Sequence, residues 1–108
     1  MILRRKPLTD KFKGMLGLCR KAGKLVPGAE LVEKSKKKCL LLVCACDASD
    51  RTKATVEAFN IKTIHTDMTK QELGAAIGMG NVAVVGITDA GFATAIESKQ
   101  GERTYGKI

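Results

Sequence analysis

Two short stretches constrain the fold of this chain more than anything else in it. Residues 39–46 read Cys-Leu-Leu-Leu-Val-Cys-Ala-Cys, and residues 82–87 read Val-Ala-Val-Val-Gly-Ile. Neither alternates apolar with polar residues, as a strand with one wetted face would. Both have the length of strands rather than of buried helices, so each predicts a central strand covered on both faces. Helical patterns precede, separate and follow the two runs. The result is an α/β class fold: a three-layer α/β/α sandwich with a mixed sheet of about four strands.

The first helix is predicted from about Thr9 to Ala22. Leu8, Phe12, Met15, Cys19 and Ala22 recur at helical spacing, with Lys13, Gly17, Arg20 and Lys21 roughly opposite. Thr9 or Asp10 suits its start and Gly23 its end. Gly14 and Gly17 each cost the helix about 1 kcal/mol relative to Ala, which points to close packing. Lys24–Pro27 reads as a short edge strand, because Pro27 has no N–H for a ladder. Gly28 opens a second helix, about Ala29 to Lys37. A turn at Asp47–Asp50 starts a third helix to about Phe59, and Ile61–His65 is a strand. Thr69-Lys-Gln-Glu72 is a capping box for a fourth helix to about Ile77. Thr88 or Asp89 starts a last helix through about Ser98. Residues 9–98 thus make a single domain, between a flexible basic N-terminus at 1–8 and a polar C-terminal tail at 99–108.

Charge is distributed unevenly. Residues 1–38 hold twelve of the nineteen Lys and Arg but three of the eleven acids, a formal +9, whereas residues 39–108 hold seven bases against eight acids. Concentrated positive charge predicts a face for a polyanion, and RNA is the abundant one in a cell. Only 4% of residues are aromatic and none is Trp, a poor platform for stacking unpaired bases. The chain shows no secretory signal pattern and no apolar run near the roughly 20 residues that cross a bilayer. The expectation is a cytoplasmic protein without a membrane partner, acting as a monomer.

Catalysis, cofactors and metals are not expected. The cysteines at 19, 39, 44 and 46 form no C-x-x-C pair and have one histidine to join them, so they read as small buried hydrophobes in a reducing compartment. Cys44 and Cys46 would share a strand face with Leu40 and Leu42. Gly78-Met-Gly80-Asn-Val-Ala83 has the letters of a dinucleotide turn, but it leaves a helix and enters a strand, the reverse of what that motif requires. Gly14-Met-Leu-Gly17 has the spacing of a KH-domain clamp yet lies inside an amphipathic helix. His65, near Asp67, has no visible nucleophile to activate, and no serine nucleophile elbow is present.

The segment from Arg20 to Lys34 carries the functional signal. Arg20, Lys21 and Lys24 end one helix and start a strand, and Gly28 lets a ligand edge approach the backbone. The N–H groups beyond Gly28 are those a helix leaves unbonded. Lys34 lies one turn past Glu30, and Lys36, Lys37 and Lys38 follow. The expectation is positive charge gathered around the Gly28 turn.

At these residues the chain resembles the ribosomal L-seven-Ae/L-thirty-e/S-twelve-e superfamily of kink-turn binders, and within it the bacterial YlxQ group. The resemblance is carried by Arg20-Lys-Ala-Gly-Lys24-Leu with Gly28-x-Glu30-Leu-Val, by Leu41–Ser49, by Glu72-Leu-Gly-x-Ala-Ile-Gly78 and by Ala83–Ala93. It implies an α/β/α sandwich that binds structured RNA, often kink-turns, in ribosomal or other RNA. Carried over, Gly28, Ala29, Glu30, Leu31 and Lys34 enter a groove beside sheared G·A pairs, and Met79, Gly80 and Asn81 cap a flipped base. Thr52 and Lys53 form a weaker third contact. The best-known members have Asn-Glu where this chain has Glu30-Leu31, so the readout differs: an ionised Glu only accepts, and Leu31 offers no polar contact. The competing reading is a protein-interaction module that sets its basic face, including Lys37, against an acidic partner in the transcription or translation machinery.

Overall fold

A computed structural model describes residues 5–104, with side chains over residues 11–98. In chain order the elements are α1 (Arg5–Lys21), β1 (Leu25–Pro27), α2 (Ala29–Lys34), β2 (Leu41–Cys44), α3 (Asp50–Ala58), β3 (Thr63–His65), α4 (Lys70–Ala76), β4 (Val84–Ile87) and α5 (Ala90–Thr104). The four strands form one mixed sheet in the order β1-β4-β2-β3. The strands from the two apolar runs, β2 and β4, are central and antiparallel, whereas β1 pairs antiparallel with β4 and β3 parallel with β2 at the two edges.

The pleat sorts side chains between two cores. Leu41, Val43, Val85 and Ile87 pack with Phe12, Leu16 and Cys19 of α1, Leu73 of α4 and Ile96 of α5. On the other face Leu42 and Val84 pack with Val32 of α2 and Val56 of α3. This is the three-layer sandwich the sequence predicts. Gly86 interrupts the second apolar run for a steric reason: a Cβ there would lie 2.6 Å from the Cys39 Sγ and 3.3 Å from Val32. The predicted capping box is present, with the Thr69 hydroxyl accepting from the Glu72 N–H and Glu72 accepting from the Thr69 N–H.

Several boundaries move. α1 starts at Arg5, before the expected Thr9, and α5 runs to Thr104, past the expected Ser98. α2 stops at Lys34, so Lys36–Lys38 form a turn rather than helix. Its one buried side chain is Val32, and nothing beyond Lys34 in that turn is apolar enough to extend the buried face. β2 ends at Cys44, and the chain then turns away, the Cys46 N–H donating to the Met68 carbonyl. Cys46 therefore leaves the alternation expected of it and is exposed, while Cys19, Cys39 and Cys44 are buried. Of the two glycines in α1, only Gly17 marks close packing. Its Cβ position is 3.0 Å from the Ala76 carbonyl oxygen, and nothing lies within 4 Å of that of Gly14.

Candidate nucleic-acid interface

Strand direction decides which candidate residues meet. Pro27 pairs with Val85, and the Gly28 N–H donates to the Val84 carbonyl at 2.7 Å, so the end of β1 meets the start of β4. Cys44 pairs with both Val84 and His65, which brings the ends of β2 and β3 to the same place. The Gly28 turn, the 45–53 segment and the approach to β4 through Asn81 thus gather at one end of the sheet, here termed the turn pole.

Hydrogen bonds tie these segments together. The Ala45 N–H donates to the Ala83 carbonyl at 2.8 Å, and Val82 donates to the Lys70 carbonyl at 3.1 Å. The Asp47 Oδ1 accepts from the Lys70 N–H at 2.7 Å, and the Lys53 ammonium donates to the Cys46 carbonyl at 3.4 Å. Thr52 is occupied locally, its N–H donating to the Ser49 Oγ at the start of α3. Met79 and Gly80 lie back along α4, with the Met79 N–H donating to the Gly74 carbonyl at 2.8 Å.

Gly28 has φ 93° and ψ 144°, a conformation that disfavours any side chain, and no side chain caps α2. Glu30 and Leu31 are exposed beyond it, Leu31 to 47%, and Asn81 and Met79 are exposed as well. Ala29 is half-buried against the α2–α3 core. Because α2 has only six residues, these side chains offer this pole more than a helix dipole does.

The basic charge lies elsewhere. The Thr88 N–H donates to the Lys24 carbonyl, and the Leu40 N–H to the Ile87 carbonyl, which puts Lys24 and Lys38 at the opposite end of the sheet. Arg20 and Lys21 end α1 on that side, and α2 runs toward it through Lys34 to Lys36, Lys37 and Lys38. The distance from Lys24 to Gly28 is four residues of extended chain, about 13 Å. The expectation of charge gathered around the Gly28 turn is therefore corrected: Arg20, Lys21, Lys24 and Lys37 form a separate lysine pole, which Lys34 joins from α2, one helical turn past Glu30. The turn pole is mixed, with Glu30, Asp47, Asp50, Asp67 and Glu72 against Arg51, Lys53 and Lys70. Charge counted along the chain carried no information on this, because the separation comes from the pairing of β1 with β4, nearly sixty residues on.

Arg20 also has a structural task, its Nη1 donating to the Ile77 carbonyl at 2.7 Å, where α4 ends. Two hollows, each about 370 Å³, flank the lysine pole. One lies between α1 and the end of α4 beside Arg20 and Lys21, and the other is lined by Glu33 through Lys38. Lys36 and Lys38 join Lys37 there, and the signal for them was the unbroken run of three lysines. Asp47 as the brace between two loops was missed, since its turn position gives no hint of a partner at Lys70.

Among the described residues no group of three or more His, Cys, Asp or Glu is placed to hold a metal ion. Among them, too, no helix is long and apolar enough to cross a membrane. Burial and then the Asp89 carboxylate push the Cys19 thiol up to about 11, and burial raises Cys39 and Cys44, with Lys53 opposing at Cys44. At pH 8 one thiol, Cys46, is expected to react promptly with Ellman's reagent and the other three only on unfolding. Stability contributed by Cys19 is complete below its ordinary value of 9.0 and is lost as pH rises through about 11. Prompt reaction of more than one thiol in the folded protein would contradict this burial pattern.

Comparison with solved structures shows the same fold elsewhere. A protein of unknown function from Bacillus halodurans superposes with a TM-score of 0.74 at 29% identity, covering 83% of this chain and 96% of its own. The 15.5-kD RNA-binding protein of Giardia lamblia superposes with a TM-score of 0.67 at 16% identity, covering 92% of this chain and 89% of its own. No protein-family model and no curated protein matches the sequence.

Proposed function

We propose that this chain is a non-enzymatic, cytoplasmic protein that binds structured RNA of the kink-turn kind, in the ribosome or in another translation-associated RNA. The observation that carries the reading is the convergence, by strand register, of Gly28–Leu31, Lys53 and Asn81 at one end of the sheet. These residues supply complementary chemistry to a folded RNA. The Gly28 turn admits a base edge, and the Glu30 carboxylate accepts from base amino groups. The Asn81 amide both donates and accepts, and exposed Leu31 offers apolar surface to a base displaced from its stack. The Giardia protein of the same fold binds RNA by its description, which supports this reading.

The test is a titration of a kink-turn hairpin against a single strand of the same composition. The hairpin is expected to bind tighter, and Leu31→Ser to weaken it about tenfold by removing one apolar contact with a base. Thr94→Ala, on the exposed side of α5, should leave binding unchanged. Equal affinity for hairpin and single strand, or no effect of Leu31→Ser, would overturn the proposal.

A further inference from the structure

We infer that the lysine pole is a second, independent nucleic-acid site, one that grips the phosphate rows of an RNA double helix without reading its sequence. Arg20, Lys21, Lys24, Lys34, Lys36, Lys37 and Lys38 all expose their side chains around one end of the sheet. The acids beside them are few. Glu33 lies in the last turn of α2, Glu57 is near the end of α3, and Asp89 accepts from the Phe92 N–H at the start of α5. Lys24 and Leu40 flank the end of β4 from its two neighbouring strands, with backbones about 10 Å apart, and Lys38 ends the turn that leads into Leu40. The flanking hollows extend the basic rim onto both faces of the sandwich.

The residue types narrow the ligand. Six of the seven are lysines, point charges that suit phosphates and lack the planar fork used to read guanine. The one Arg is held by the Ile77 carbonyl. Of the aromatic rings at this end, Phe59 is half-buried with the Lys36 ammonium 5.8 Å from its centroid and Phe92 packs against the α1 core, so neither is free to stack unpaired bases. That favours a double helix over a single strand. An acidic protein surface fits less well, because a stable protein interface needs an apolar centre. The large exposed apolar side chains nearby, Leu40 and Leu18, belong to different elements and stand singly. The turn pole, where five acids outnumber three bases, has no such field. A polyanion is steered first to the lysine pole.

The experiment uses a plain RNA duplex of about 20 base pairs, with no loop for the turn pole to recognise. The wild-type chain is expected to bind it with a marked salt dependence. The triple variant Lys36→Gln, Lys37→Gln, Lys38→Gln should lower the log–log salt slope by about 1.5 to 2, since Lys36 leans over Phe59, and weaken binding at least tenfold, each phosphate contact contributing about 0.9 in B-DNA and less in single strands. All three side chains are exposed, so circular dichroism should show an unchanged fold. Leu31→Ser should leave duplex binding alone. Failure of the duplex to bind, or a triple variant as tight as wild type, overturns the inference while leaving hairpin recognition intact. Lysine-dependent duplex binding without hairpin preference would support the inference and sink the proposed function instead. Binding of polyglutamate or anionic vesicles as tight as the duplex at equal salt would also overturn it.

Discussion

Gly74→Ala is expected to destabilise this protein more than any other single methyl group added to it. Gly74 sits buried in α4, where alanine would ordinarily favour the helix by about 1 kcal/mol. The structure reverses that sign. A Cβ at this position would lie 1.4 Å from the Gly80 carbonyl oxygen and 2.6 Å from its carbon, both backbone atoms that no rotamer change can move. The segment is also anchored there, the Met79 N–H donating to the Gly74 carbonyl and Gly78 turning with φ 76°. Either α4 separates from the 78–81 segment or that segment is displaced with Asn81. We expect a loss of about 3 kcal/mol, at the upper end of overpacking effects, and a fall in Tm of more than about 10 °C. Whatever folded protein remains should bind a kink-turn hairpin poorly. Gly14→Ala is the matched control, since nothing lies within 4 Å of its Cβ position, and it should leave Tm unchanged or slightly higher. Thermal melts of the two variants decide the matter. A Gly74→Ala protein as stable as wild type would mean that residues 79–80 are not seated on α4.

That contrast shows what a sequence makes legible. The sandwich could be read because Leu41–Cys44 and Val84–Ile87 are apolar on both pleat faces, a local pattern with one architectural solution. Thr69 and Glu72 could be read because a capping box is complete within four residues. Gly74 and Gly14 look alike in the sequence. Only tertiary contact tells them apart: one faces the Gly80 backbone, the other open space. The site divides the same way. Gly28 was legible as a special turn, and its positive φ bears that out. Which charges surround it was not legible, because β1 pairs with a strand nearly sixty residues later, and that pairing sends Lys24 to the far end of the sheet. The shortness of α2 was hidden because Lys36–Lys38 are acceptable helix residues, and only the return of the chain to β2 ends the helix at Lys34.

Binding of RNA should fall steeply with salt, by about 100- to 500-fold between roughly 50 and 200 mM. This follows from a log–log slope of about −3.5 to −4.5 for some five phosphate contacts. The number is set by geometry rather than by the formal net charge of +8. Seven basic side chains crowd the lysine pole, but Arg20 is partly committed to Ile77 and Lys36 leans over Phe59, which leaves about five free to meet phosphates together. The turn pole adds little to the slope because its three bases are outnumbered by five acids. The two poles should therefore separate in one experiment, fluorescence anisotropy of a kink-turn hairpin with a long stem at four salt concentrations. Lys24→Gln should make the slope shallower by about one unit, since one counterion fewer is released. Leu31→Ser should lower affinity equally at every salt concentration and leave the slope alone, because it removes contact with a base and no charge. A nearly flat response in the wild-type chain would count against RNA as the ligand of this pole, and a slope that changes with Leu31 but not with Lys24 would reverse the roles assigned to the two ends of the sheet.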